Sequence, residues 1–326
     1  MVKRKWFAAA AASAGMLALI LDSRTAFSGA AQGVELCLKT VIPSLFPFLF
    51  LSGIFSAAFM GTKLHALRFL GKAFALPSQM EYLLVPAFLG GYPVGARCVS
   101  DAYASGFISR RRAEKLLAFC SNVGPAFIFG ILSSKFQRKT LVWAIWAIQI
   151  LSAWTAARLF ADSAEENAAE SNSSSTAHPG IEPAIHAMLN ICGWVVLFRV
   201  VIAFLDRWIL WAVGIEERVA FIGLLELSNG CCCLNLISGE GVRFVVCNAL
   251  LAFGGLCVGY QTASVCRDLN LRYYFAGKAL QGIIAAFLSA ACYYRLWAFF
   301  PAWAAVTLLI SKCLQKKSRN PALLGV

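Results

Sequence analysis

The chain has 326 residues, 60% of them hydrophobic and only 14% charged, with a mean hydropathy of +0.70. A soluble domain carries about 25% charged residues, so an ordinary water-soluble enzyme or binding module is excluded and an integral membrane protein is indicated. The net charge of +13, from 29 basic and 16 acidic residues, comes with no DNA- or RNA-binding motif. Short cytoplasmic loops that retain Lys and Arg account for it without a nucleic-acid partner.

The chain begins Met1-Val2-Lys3-Arg4-Lys5 and continues as an apolar run from Trp6 to Leu21. That is the outline of a signal peptide, with a weak cleavage site at Ser28-Gly29-Ala30. The apolar segments that follow favour an uncleaved first span, so 1–40 reads as an N-terminal span and interfacial segment. Further apolar segments run over 41–60, 82–104, 116–134 and 140–160, each near the ~20 residues a bilayer crossing needs. The stretch 61–81 is predicted to be an interfacial helix, with Leu64, Leu67 and Phe74 on one face and Lys63, Arg68 and Lys72 elsewhere. Residues 161–183 hold five acids and no Lys or Arg, which predicts a disordered acidic linker. A second membrane half follows over 184–313, with segments at 184–206, 219–238, 243–265 and 279–300 and a short one at 302–313. A basic tail, 314–326, closes the chain.

Two first-half segments are interrupted where a plain span would be continuous. One carries Gly90-Gly91-Tyr92-Pro93-Val94-Gly95-Ala96-Arg97, the other Cys120-Ser121-Asn122-Val123-Gly124-Pro125. Proline removes a backbone donor and glycine loosens a helix, so both are expected to unwind in mid-membrane. In the second half, Leu250-Leu251-Ala252-Phe253 repeats Leu116-Leu117-Ala118-Phe119 and precedes Gly254-Gly255. The recurring order of plain, broken, broken and plain segments predicts two related halves, as in many secondary transporters. Basic loops around 63–72, 110–115 and 135–139 would all be cytoplasmic if 82–104 and 116–134 were re-entrant, with the acidic linker outside. Simple spans with one exceptional loop are the alternative.

Transporters build substrate sites from such breaks. The candidate substrate-binding residues are therefore Gly91, Tyr92, Pro93, Gly95, Arg97, Asn122, Gly124 and Pro125, joined from the second half by Asn229 and Gln261. Arg97 would face an anionic substrate, or else pair with Asp101 at i+4 near the interface. Asn122 would contact substrate or satisfy freed backbone groups. Glu226 is the candidate coupling-ion or proton site, its alternative being a partner for a nearby Arg such as Arg199. The 12 cysteines lie mostly in apolar stretches, and Cys231-Cys232-Cys233 has no His nearby and no CxxC spacing. They read as small packing residues, so no metal site is expected. His65, His178 and His186 belong to no Ser-His-Asp set, HExxH motif or P-loop, and no catalytic residue or cofactor is indicated.

Three strings together carry a family resemblance: Gly91-Tyr92-Pro93-Val94-Gly95-Ala96-Arg97, the run from Ala113 through Asn122-Val123-Gly124-Pro125 to Gly130, and Gly254-Gly255-Leu256-Cys257-Val258-Gly259-Tyr260-Gln261. They resemble the sporulation integral membrane protein YlbJ (SpoVV) family of the nucleoside-recognition, or Gate, domain group, over most of 40–300. The resemblance implies an all-α polytopic membrane protein with two Gate-like halves. It also implies a bacterial endospore former, a place in the outer forespore membrane, and transport of dipicolinic acid. Its partners would be the lipid bilayer and a small anionic molecule, with a homo-oligomer or other sporulation membrane proteins as further partners. Nucleoside or metal-ion transport is the first alternative, and a non-transporting scaffold for spore-envelope assembly is the second.

Overall fold

The computed structural model describes residues 2–76, 79–160 and 180–319. The predicted disordered linker therefore lies outside the described residues except for its last few, and so does the tail beyond Arg319. Every regular element among the described residues is helical. The first part contains α1 (Val2–Leu21), α2 (Ser23–Leu36), α3 (Ile42–Phe59), α4 (Arg68–Ala73), α5 (Leu84–Leu89), α6 (Val94–Ala104), α7 (Arg110–Leu116), α8 (Pro125–Ile131) and α9 (Lys139–Phe160). The second contains α10 (Ile181–Trp208), α11 (Ile215–Leu225), α12 (Leu227–Cys233), α13 (Glu240–Phe253), α14 (Gly255–Val265), α15 (Arg272–Tyr293) and α16 (Phe299–Arg319). Among the described residues five stretches are long and apolar enough to cross a bilayer: Ser23–Phe59, Lys139–Phe160, Ile181–Trp208, Glu240–Val265 and Arg272–Tyr293. The protein is a polytopic, all-α integral membrane protein.

The N-terminal region differs from the sequence expectation. The first span that packs is not 1–21 but Ser23–Phe59, in which α2 runs through a π turn, Cys37–Val41, into α3. A boundary at residue 40 falls inside that turn. Gly29 and Gly33 explain the packing. A Cβ on Gly29 would lie 2.9 Å from the Ala203 Cβ, and one on Gly33 would lie 2.8 Å from the Val196 Cα. Small residues let α2 approach α10 closely where no hydrophobic effect drives helices together. Ser28-Gly29-Ala30 is thus part of a packed helix. The interfacial stretch is a 3-10 turn, His65–Leu67, followed by α4. Phe74 turns inward to meet the Phe88 and Phe119 rings at 5.2 and 6.3 Å.

Contacts at the helix ends fix the direction of each element. At one end Phe160 meets Tyr273, with ring centroids 6.1 Å apart, and the Asn270 amide donates to the Glu114 carboxylate at 3.0 Å. At the opposite end Arg138 pairs with Glu240 at 2.8 Å and sits over the Tyr293 ring, while Lys135 donates to the Cys232 carbonyl. The 22 residues of α9 separate the two ends by about 33 Å, a bilayer's thickness. The 110–115 and 135–139 loops therefore lie at opposite ends.

One re-entrant expectation is corrected by this geometry and the other is not. Residues 116–134 cross from the end bearing α7 to the 135–139 end as a turn, an extended break, α8 and a 3-10 turn. Residues 82–104 do fold back: a Cβ on Gly95 of α6 would lie 3.0 Å from the Ala87 Cα of α5, and α6 returns to Ser105 beside Met60. The second part repeats the order in the opposite direction. Helices α11 and α12 fold back on each other through Gly223 and Gly230. Then α13 and α14 cross with a break at Gly254, and α15 returns. The exceptional basic loop is the one whose charge is already engaged, Arg138 by Glu240.

Charge bias predicts a cytoplasmic side for the end bearing Arg110, Arg111 and Arg112. In a protein with exposed Cys232 and Cys313 replaced by Ser, a cysteine placed at Ser109 should react only from the cytoplasmic face, and one at Ser134 only from the other. Equal labelling of both positions from one face would remove this arrangement.

Candidate functional site

The breaks stand where helix is unaffordable to the local sequence. In the first, Gly91 takes φ +78°, a conformation that L side chains rarely adopt, and Pro93 directly precedes α6. In the second, Gly124 is extended and Pro125 opens α8, where its missing N–H costs nothing. The two meet: a Cβ on Gly124 would lie 3.0 Å from the Gly91 amide nitrogen and 3.1 Å from the Leu89 oxygen. In the other part, Gly254 and Gly255 take φ +87° and +80°, and a Cβ on Gly255 would lie 3.0 Å from the Gly223 carbonyl oxygen.

Each break strands backbone groups, and buried side chains answer them. Asn122 Nδ2 donates to the Ala87 carbonyl at 3.2 Å and the Phe119 carbonyl at 2.7 Å. Gln281 Nε2 donates to the Ala118 carbonyl at 2.7 Å. The Tyr92 hydroxyl crosses to the second part and donates to the Leu251 carbonyl at 2.9 Å, its ring lying against Gly254. Glu226, 1% exposed, caps α12: its carboxylate accepts from the Ser228 amide at 3.1 Å and from the Asn229 amide and side chain, both at 2.7 Å. Arg199, the expected partner of Glu226, hydrogen-bonds Gln32 instead.

A residue outside the sequence candidates completes the cluster. Lys278 of α15 is 1% exposed. Its ammonium donates to the Ser121 carbonyl at 2.8 Å and to Gln281 Oε1 at 3.0 Å, reaches Asn122 Oδ1 at 3.5 Å, and lies 4.9 Å from the Tyr92 ring centroid. Neighbouring Gly277 makes this possible, because a Cβ there would collide with the Ala118 carbonyl. The available signal was Lys278 and Gln281, two polar residues at i and i+3 in an apolar helix and hence on one face. The predicted segment started at 279 and left Lys278 outside.

The tips and breaks border a partly open cavity of about 40 Å³, lined by Tyr92, Gly124, Phe127, Glu226, Ser228 and Gln261 among others. That is room for roughly three waters. The offset of 134 residues that lays Leu250 on Leu116 also lays Glu226 on Tyr92, so the two fold-back tips present these two side chains to one space.

Of the sequence candidates, Tyr92, Gly124, Glu226 and Gln261 line the cavity, and Gly91 touches Gly124. Gly95 lies against the Cys120 carbonyl, and Gln261 Nε2 also donates to Cys257 Sγ at 3.3 Å. Asn229 serves Glu226. Arg97 does not join them. Its Nε is 3.9 Å from Asp101 Oδ2, its Nη1 donates to the Pro183 carbonyl at 3.0 Å, and its side chain is 25% exposed. The reason is helical: Arg97 is two residues, about 200°, beyond Gly95, and Gly95 faces the break. The i,i+4 alternative describes Arg97 in this conformation. Cys231 is buried, Cys232 exposed and Cys233 intermediate, and among the described residues no three His, Cys, Asp or Glu side chains gather where they could hold a metal.

Gly95→Ala should destabilise the detergent-solubilised protein by about 1–3 kcal/mol, since the new methyl meets the Cys120 carbonyl. Gly130→Ala, which meets nothing within 4 Å, should be neutral or stabilising. Thermal melts of the two variants check the contrast.

The chain is similar to the sporulation integral membrane protein YlbJ of Bacillus subtilis (strain 168), with 22% identity over 323 residues, covering 82% of this chain and 78% of the relative. No protein-family model matches it. No solved structure matches it either.

Proposed function

We propose that this protein carries a small organic anion across a bacterial membrane during sporulation, with dipicolinate as the first solute to test. The supporting observation is the convergence of four helix breaks, from elements running in opposite directions, around one small cavity between the two parts. Inverted halves around a midplane site are the architecture of many secondary transporters, and irregular backbone at that depth is otherwise costly. The two parts are read as related halves of the Gate type, by their order of elements and the shared 134-residue offset. The sporulation setting comes from the name of the similar B. subtilis protein. A scaffold role has less in its favour, because a scaffold needs neither unwound backbone nor buried ionisable groups.

Within this reading Glu226 is the coupling site. It is a buried carboxylate on a fold-back tip, it borders the cavity, and its oxygens already accept from three N–H groups. Proton binding there would release the α12 cap and loosen the tip, which links an ion to movement.

Proteoliposomes should take up pyridine-2,6-dicarboxylate, and an imposed pH gradient should speed the uptake. Glu226→Gln should abolish the stimulation by the gradient while solute exchange continues. Arg97→Ala should keep uptake within about threefold of the parent, because partly exposed pairs such as Arg97–Asp101 contribute little. Gradient-stimulated uptake in Glu226→Gln would remove Glu226 from coupling.

A further inference from the structure

We infer that Lys278 is the counter-charge for a carboxylate of the transported solute, and that the Tyr92 ring covers it in this conformation. The inference rests on the transport reading and assigns the anion-binding residue within it.

The cavity poses a problem for an anion. The one ionisable group among its lining carboxylates and bases is Glu226, and Arg97 faces elsewhere. Glu226 is less of an obstacle than its formal charge suggests, since both its oxygens are engaged by the N–H groups opening α12. What the site lacks is a cation, and Lys278 stands directly behind its wall. Tyr92 lines the cavity, and the Lys278 ammonium lies over the same ring at 4.9 Å. One side chain therefore separates the buried cation from the space where a solute would enter.

The partners of Lys278 point the same way. All are neutral: a backbone carbonyl, two side-chain amide oxygens and an aromatic face. Among the described residues the carboxylates that pair with Lys or Arg lie elsewhere, in Lys39–Glu35, Arg97–Asp101, Arg138–Glu240, Arg207–Asp22 and Arg218–Asp206. An ionisable side chain at membrane depth is costly and marks a substrate or ion pathway. If Lys278 only tied down stranded carbonyls, a neutral donor such as Gln would serve, as Gln281 does one turn away for the Ala118 carbonyl. A lysine held by neutral acceptors and a ring face has no carboxylate of its own to answer. A carboxylate that replaces the ring converts the weak cation–π contact into a charge-assisted hydrogen bond.

Tyr92 is also suited to move. It sits on the tip of the α5–α6 fold-back, and its hydroxyl is held by the Leu251 carbonyl of the other half. Releasing that bond frees the ring to swing away from the ammonium.

The test measures binding to the purified full-length protein by calorimetry. The probes are pyridine-2,6-dicarboxylate and its uncharged diamide. The parent should bind the diacid and not the diamide. Lys278→Met keeps the straight chain and drops the charge. It should weaken diacid binding roughly ten- to a hundredfold in protein that remains folded and monodisperse. Tyr92→Phe keeps the ring and loses its tether, so it should bind the diacid about two- to tenfold more tightly. Diacid binding at parental strength in Lys278→Met would overturn the role of Lys278 while leaving the transport reading standing. Unchanged affinity in Tyr92→Phe would overturn the covering role of Tyr92, and that variant reads out even if Lys278→Met does not accumulate. Failure of the parent to transport any carboxylate in proteoliposomes would instead remove the transport reading.

Discussion

Backbone polar groups released inside a bilayer have no water to turn to, and this constraint organises the centre of the molecule. Four helices are interrupted there, and each interruption strands carbonyls or amides in a medium where an unmet group costs several kcal/mol. The chain meets the demand with side chains borrowed across distance. Asn122 serves α5 and its own break, Gln281 serves the Ala118 carbonyl from 163 residues away, and Tyr92 serves Leu251 from 159 residues away. The bonds that repair one break are therefore the bonds that hold different elements together. Removing a break would remove the reason for the cluster, and removing the cluster would leave the breaks unsupported.

Glycine supplies the other half of the arrangement. Gly91 lies on Gly124, Gly230 on Gly223, and Gly277 on Ala118, so backbones touch where side chains would hold them apart. This closeness leaves little free volume, and what remains admits only a few waters. Short polar side chains can span such gaps because the backbones are near. The long Lys278 side chain is accommodated because its neighbour is a glycine.

The breaks were legible in the sequence because Gly and Pro act locally, at the positions they occupy. The membrane class was legible because composition sums over the whole chain. Arg97 was not, because nearness to a break along the chain says nothing about helical phase, and two residues turn a side chain to the other face. Lys278 was missed for a different reason. Hydropathy draws segment edges at charges, so a buried cation near the start of a helix looks like a loop residue. The topology was half legible. Charge bias counts a loop's own residues, whereas Arg138 finds its counter-charge in Glu240, 102 residues on.

The Tyr92–Leu251 bond has a consequence for leakage. The Leu251 carbonyl belongs to the last turn of α13, just before the break at Gly254, and the tyrosine hydroxyl is what answers it. When the ring leaves, that oxygen needs another donor, and only incoming water or a solute can be one. If the ring moves as inferred, opening and wetting are coupled through that one oxygen. Under the transport reading, a membrane that must hold its ion gradients would gain a seal from this, because the Tyr92 tether would be released only as water or solute enters.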